Sequence, residues 1–130
     1  MVAAGFGVIA RDSTGKVLGA YAGKIDTLPD SFATECKAAL KAIQWAREMG
    51  FRRIVMEGDA LTVIKKINEN TTDFSPIGAY IADLKTSRCW FETCSFVHVG
   101  RQGNQAADRL ANLGKTLVDE QVWIEEYLNC

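Results

Sequence analysis

The sequence predicts an α/β fold, and three observations carry that reading. Apolar runs at strand spacing occur at residues 5–10, 17–25, 53–57 and 91–99. Stretches with apolar residues every three or four positions separate them, most clearly over 31–49. The resulting order is strand, strand, helix, strand, helix, helix, strand, helix. It alternates the two element types, as sheets flanked by helices do.

Composition narrows the function classes. With 130 residues and 48% hydrophobic content, the chain is expected to form a single domain over 1–130. Net charge is −1 and the sequence pI about 5.8, which excludes a strongly basic nucleic-acid binder. Any such binding must rest on a local patch, be weak at physiological salt and fall steeply as salt rises. Cys36, Cys89, Cys94 and Cys130 show no metal-ligand spacing, so reduced thiols in an intracellular compartment are expected. No apolar run reaches membrane-spanning length, and residues 1–10 lack the positive leading region of a secretory signal.

The first unit reads as a hairpin. Arg11-Asp12-Ser13-Thr14-Gly15-Lys16 is turn chemistry, with Gly15 free to take the left-handed conformation. A helix over 31–49 follows, stopped by Gly50. Its apolar stripe is Phe32, Cys36, Ala39, Leu40 and Ile43, extended by Ala46 and Met49. Glu35 falls within that stripe, so it either finds a partner, metal or cleft, or sits at the stripe's edge and reaches water. The strand 53–57 runs into Gly58-Asp59, and a short helix over 60–68 turns Leu61, Val63, Ile64 and Ile67 inward. Asp59 reads equally as a helix cap or as a ligand-binding acid at a strand's carboxyl end. A polar loop over 70–74 leads to Ser75-Pro76, a cap and first position for a helix reaching 87. Residues 119–130 read as a last short helix or a docked tail.

The segment 97–108 organises the second half. Phe91, Thr93, Ser95, Val97 and Val99 alternate with Trp90, Glu92, Cys94, Phe96 and His98. Gly100 and Gly103 loosen the loop, and Asn104 is a natural cap. Ala106, Ala107, Leu110, Ala111, Gly114 and Leu117 give the next helix a close-packing stripe. The only histidine of the chain, His98, thus stands at a strand end, one loop away from Asp108 in a first helical turn. Both also have structural readings, as a loop hydrogen bond and as a complement to the helix dipole.

Glu35, Asp59 and Asp108 are three acids at element ends or on an inward stripe. Without a Cys/His ligand set, they suit a hard cation such as Mg²⁺ or Mn²⁺. Paired ions of that kind stabilise both the attacking and the leaving oxygen in phosphodiester cleavage.

Four blocks carry a family resemblance: Ala4-Gly5-Phe6-Gly7-Val8-Ile9-Ala10-Arg11-Asp12, Thr34-Glu35-Cys36-Lys37-Ala38-Ala39-Leu40, Glu57-Gly58-Asp59, and His98 through Asp108. In this order and at these separations they resemble the ribonuclease H-like domain, nearest to its plant, reverse-transcriptase-like branch. The resemblance implies a mixed five-stranded sheet flanked by helices, and a nuclease that cuts the RNA strand of RNA/DNA hybrids with Mg²⁺. It implies that Glu35, Asp59 and Asp108 hold the metal and that His98 joins them in catalysis near the scissile phosphate. Arg11, Lys37, Arg101, Asn104 and Arg109 are the expected nucleic-acid contacts.

The chain departs from the family pattern at one point. The family's first aspartate, on a strand ahead of residues 5–10, has no counterpart here. The expectation is a ribonuclease H-like fold with its first strand missing, and metal affinity and cleavage below those of an intact relative. Two edges, at 5–10 and 53–57, would then pair directly, be filled by the 119–130 tail or a second chain in a homo-oligomer, or leave a poorly soluble protein. The alternative function is a catalytically inactive nucleic-acid-binding or protein-interaction module of retroelement descent.

Overall fold

The computed structural model describes residues 4–25, 31–58, 61–69 and 78–124, in two compact units: 1–27 with 105–130, and 28–104.

The first unit is a three-stranded antiparallel sheet carrying one helix. Strands β1 (Ala4–Arg11) and β2 (Val17–Ile25) pair from Ala4↔Ile25 to Ala10↔Gly19. Asp12 builds the turn between them. Its Oδ1 accepts the Thr14 hydroxyl at 2.6 Å, the Thr14 N–H at 2.9 Å and the Lys16 N–H at 3.0 Å. These bonds, the hydroxyl's first, hold the Asp12 carboxyl below the usual carboxylate range. Gly15 takes φ +89°, as the turn chemistry predicts.

Helix α4 (Gln105–Gly114) lies on the hairpin backbone to backbone. A Cβ added at Gly7 would stand 2.5 Å from both the Ala107 carbonyl oxygen and the Ala111 nitrogen. One added at Gly114 would stand 2.5 Å from the Gly23 carbonyl oxygen. The small-residue stripe is therefore the contact face. Ala106, Ala107, Leu110 and Ala111 are half-buried and Gly114 is buried, while Asp108 and Arg109 face water.

The tail docks as a strand, β5 (Gln121–Ile124), antiparallel to β2 from Gly19↔Ile124 to Ala22↔Gln121. Residues 125–130 lie outside the described set. Neither expected closure by the chain itself is met: β5 runs along β2, and among the described residues β1 has β2 as its ladder partner and β3 has β4. Among the described residues the strands form a three-stranded and a two-stranded sheet.

The second unit holds α1 (Ser31–Glu48), β3 (Arg53–Gly58), α2 (Leu61–Asn68), α3 (Gly78–Ser87) and β4 (Thr93–His98). Helix α1 ends in the two bonds of a Schellman motif, Phe51 N–H to the Ala46 carbonyl and Gly50 N–H to the Arg47 carbonyl, with Gly50 at φ +82°. Its buried residues are Ala33, Cys36, Ala42, Ile43, Trp45 and Ala46. Phe32 is 43% exposed, so the stripe starts one residue later than the sequence suggests. Leu61 is likewise 45% exposed, and α2 turns Val63 and Ile67 inward. Both corrections fall in a first helical turn, where Ala33 of α1 and Val63 of α2 take the inward position instead. The core joins Ala33, Cys36 and Ile43 of α1 to Val63 and Ile67 of α2, Ile81 and Leu84 of α3, and Phe96 of β4. Strand β4 begins at Thr93 because Arg88–Trp90 close a 3-10 turn. The 70–74 loop and the Ser75-Pro76 start lie outside the described residues. Among the described residues no helix is long and apolar enough to cross a membrane.

Gly7→Ala should destabilise the chain by about 1–3 kcal/mol, since backbone cannot yield as a side chain end does. Gly100→Ala, with open space at its Cβ, should stay within about 0.5 kcal/mol. Urea unfolding of both variants reads the difference.

Candidate active site

The site begins with the β3–β4 ladder. The two strands run parallel, in register from Arg53↔Thr93 to Gly58↔His98. The Val99 N–H donates to the Gly58 carbonyl at 2.9 Å, so both strands end together. Their inner residues Ile54, Met56, Cys94 and Phe96 pack on the helices and fix that register. His98 is exposed, beside the point where β3 passes into residue 59. Asp59 itself lies outside the described residues.

A polar clamp holds β4 in place. Asn68, last residue of α2, donates its side-chain amide to the Phe96 carbonyl at 3.1 Å. Arg88 donates to Asn68 Oδ1 at 2.6 Å and lays its guanidinium over the Phe96 ring, 5.0 Å from the centroid. The Arg88 Nε is buried without a hydrogen-bond partner among the described residues. Sequence reading missed this clamp, because its members lie far apart along the chain and no local pattern joins them.

The remaining candidates divide between the two units. Glu35 sits in the second turn of α1 and is exposed. Lys37 is half-buried two residues on, and that spacing does not place it on the Glu35 face. Asn104 ends a 3-10 turn (Arg101–Asn104), and α4 starts at Gln105. Of these, Glu35, Lys37, His98, Arg101 and Asn104 belong to the 28–104 unit. Asp108, in the first turn of α4, belongs to the other unit with Arg109 and Arg11. There β1 runs from the carboxyl end of α4, with Gly5 against Ala111 and Lys115, toward its amino end, with Gly7 against Ala107. That direction carries Arg11 toward the Asp108 end. Among the described residues no three His, Cys, Asp or Glu form a group that could hold a metal ion.

A family model described as "Reverse transcriptase-like" matches residues 2–114. The chain belongs to this ribonuclease H-type family. Its fold is similar to the RNase H1 of the halophilic archaeon Halobacterium salinarum NRC-1, at 24% identity and TM-score 0.71, covering 85% of this chain and 83% of that one. It is also similar to LC11-RNase H1, solved in complex with an RNA/DNA hybrid, at 19% identity and TM-score 0.75 over 85% and 84% of the chains. The N-terminal RNase H domain of a Mycobacterium tuberculosis protein gives 18% identity and TM-score 0.75 over 85% and 81%. No curated protein matches.

The thiols report on how β4 is held. Cys36 is buried, Cys89 exposed and Cys94 half-buried, and none of the three forms a disulfide among the described residues. Burial pushes the Cys94 thiol up, opposed by the nearby Arg88 charge. A raised thiol has less reactive thiolate near neutral pH. Of these three, Cys89 should alkylate first, Cys94 later and Cys36 only on unfolding, as read by timed labelling and mass spectrometry. Labelling of Cys94 ahead of Cys89 would show that β4 is not packed as described.

Proposed function

We propose that this domain binds RNA/DNA hybrids and hydrolyses their RNA strand with a divalent metal, Mg²⁺ or Mn²⁺. The observation that carries the reading is the parallel register that ends β3 and β4 side by side, Gly58 against His98, within a chain of the ribonuclease H-type family. Asp59 follows Gly58 directly, so an acid and the chain's one imidazole are carried at neighbouring strand ends. The hybrid in the LC11-RNase H1 complex supports the substrate class.

The donor set fits a hard cation, since Glu35, Asp59 and Asp108 offer carboxylate oxygens and no thiol or imidazole is needed. When bound, the metal stabilises charge on the attacking and leaving oxygens of the phosphodiester. Glu35, Asp59 and Asp108 are the carboxylates that would hold it. His98, exposed at the end of β4, moves a proton near the leaving group. Arg11, Lys37, Arg101, Asn104 and Arg109 meet the phosphates and sugars, which fixes the register of the duplex without reading its sequence.

A labelled RNA/DNA hybrid incubated with the 130-residue chain and Mg²⁺ tests this. The expected result is metal-dependent cleavage of the RNA strand, abolished in Asp59→Asn and Glu35→Gln. His98→Ala should slow turnover by about 10²-fold while leaving metal affinity, read by calorimetry, nearly unchanged. Loss of metal binding in His98→Ala would make His98 a ligand or a structural residue. Hybrid binding without any cleavage would make the chain an inactive binding module.

A further inference from the structure

We propose that Asn68 and Arg88 are positioning residues: they fix where β4 carries His98 and thereby set the rate of RNA cleavage. The effect on rate rests on the proposed function, whereas the placement of His98 stands apart from it.

The ladder decides which backbone groups the two residues can reach. The Thr93 N–H donates to the Arg52 carbonyl at 3.3 Å and the Val99 N–H to the Gly58 carbonyl at 2.9 Å. Backbone groups alternate in direction along a strand. Thr93, Ser95, Val97 and Val99 therefore turn theirs toward β3, and Cys94, Phe96 and His98 turn theirs to the opposite edge. On that edge the Phe96 carbonyl accepts the Asn68 side-chain amide at 3.1 Å.

Phe96 is the last buried side chain of β4, and Val97 and His98 after it are exposed. Its ring and its carbonyl are fixed together. The ring packs in the core with the Arg88 guanidinium over it, and the carbonyl is held by the Asn68 amide. His98 follows two residues on, which is about 7 Å along a strand, so a tilt of about 10° at Phe96 moves it by about 1 Å. A misplacement of that size at a reacting group costs up to about 10²-fold in rate.

An amide suits this joint because it donates and accepts at once. Arg88 donates to Asn68 Oδ1 at 2.6 Å, which leaves the NH₂ end turned to Phe96. Asn68 is exposed, so water could satisfy the same groups, and the bonds add little to folding. What they add is direction. The Arg53–Glu92 pair joins the same two strands at their other end and is also exposed, yet it has no bearing on where β4 stops.

Two measurements on the 130-residue chain test this: steady-state cleavage of a labelled RNA/DNA hybrid with Mg²⁺, and the His98 imidazole resonances in NMR. Asn68→Ala and Arg88→Met should each lower kcat about tenfold and leave KM within about twofold. Both should shift the His98 resonances, with circular dichroism showing that the variants are folded. Arg88→Lys keeps a donor for Asn68 and a cation over the ring, and should recover most of the loss. In a His98→Ala background, Asn68→Ala should cost no further kcat, because the imidazole it acts through is already gone. Arg53→Ala, at the far end of the ladder, should leave both kcat and the resonances unchanged. Full additivity of Asn68→Ala with His98→Ala overturns the proposal, and so do unmoved His98 resonances in folded Asn68→Ala. A wild-type chain that does not cleave overturns the proposed function instead, and the resonances then decide the placement of His98 by themselves.

Discussion

The parallel pairing of β3 with β4 is the constraint on which the larger unit depends. A parallel ladder of two strands has little stability of its own, and such strands ordinarily lie under helices. Here one face is covered. Ile54, Met56, Cys94 and Phe96 join the core built by α1, α2 and α3, and that burial sets the register. A slip by one residue would exchange this apolar set for Arg53, Val55, Glu57, Thr93, Ser95 and Val97. The Asn68–Arg88 clamp adds directional bonds to the same strand, from a helix end and a 3-10 turn. Register then decides chemistry, because it makes β3 and β4 end together and stands His98 at the point where Asp59 follows.

The hairpin unit solves its packing differently. Glycines at 5, 7 and 114 remove the side chains that would hold a helix away from a strand pair, and α4 settles backbone on backbone. Close approach of this kind fixes how far along the hairpin the helix can slide. It thereby sets the position of Asp108, in the first turn of α4, relative to Arg11 at the end of β1. The price is intolerance: at Gly5, Gly7 and Gly114 even a methyl group meets main chain.

Much of this was legible in the sequence because the signals were local. Asp12 to Lys16 spelled out a turn, Gly50 stopped α1, and the alanines with Gly114 marked the contact face of α4. The four motif blocks gave the family that the comparisons then showed. What was not legible depended on distant partners. Gln121–Ile124 is a strand because β2 offers an edge, and no four-residue stretch announces that. Phe32 and Leu61 kept helical periodicity, but in those first turns Ala33 and Val63 take the inward positions. The start of β4 moved to Thr93 because Arg88–Trp90 close a 3-10 turn, although the alternation already begins at Trp90. Glu35 fell on an inward stripe by spacing, yet it is exposed, because the buried face of α1 runs through Ala33, Cys36 and Ile43 instead.

The central claim is that nucleic acid meets this chain at the shared end of β3 and β4. His98 is the only histidine, so its imidazole gives one isolated pair of proton resonances in the NMR spectrum. Titrating an RNA/DNA hybrid into the chain at low salt should shift those resonances progressively and saturably. A duplex that binds, as seen by its own imino signals, while the His98 resonances stay fixed would contradict the claim.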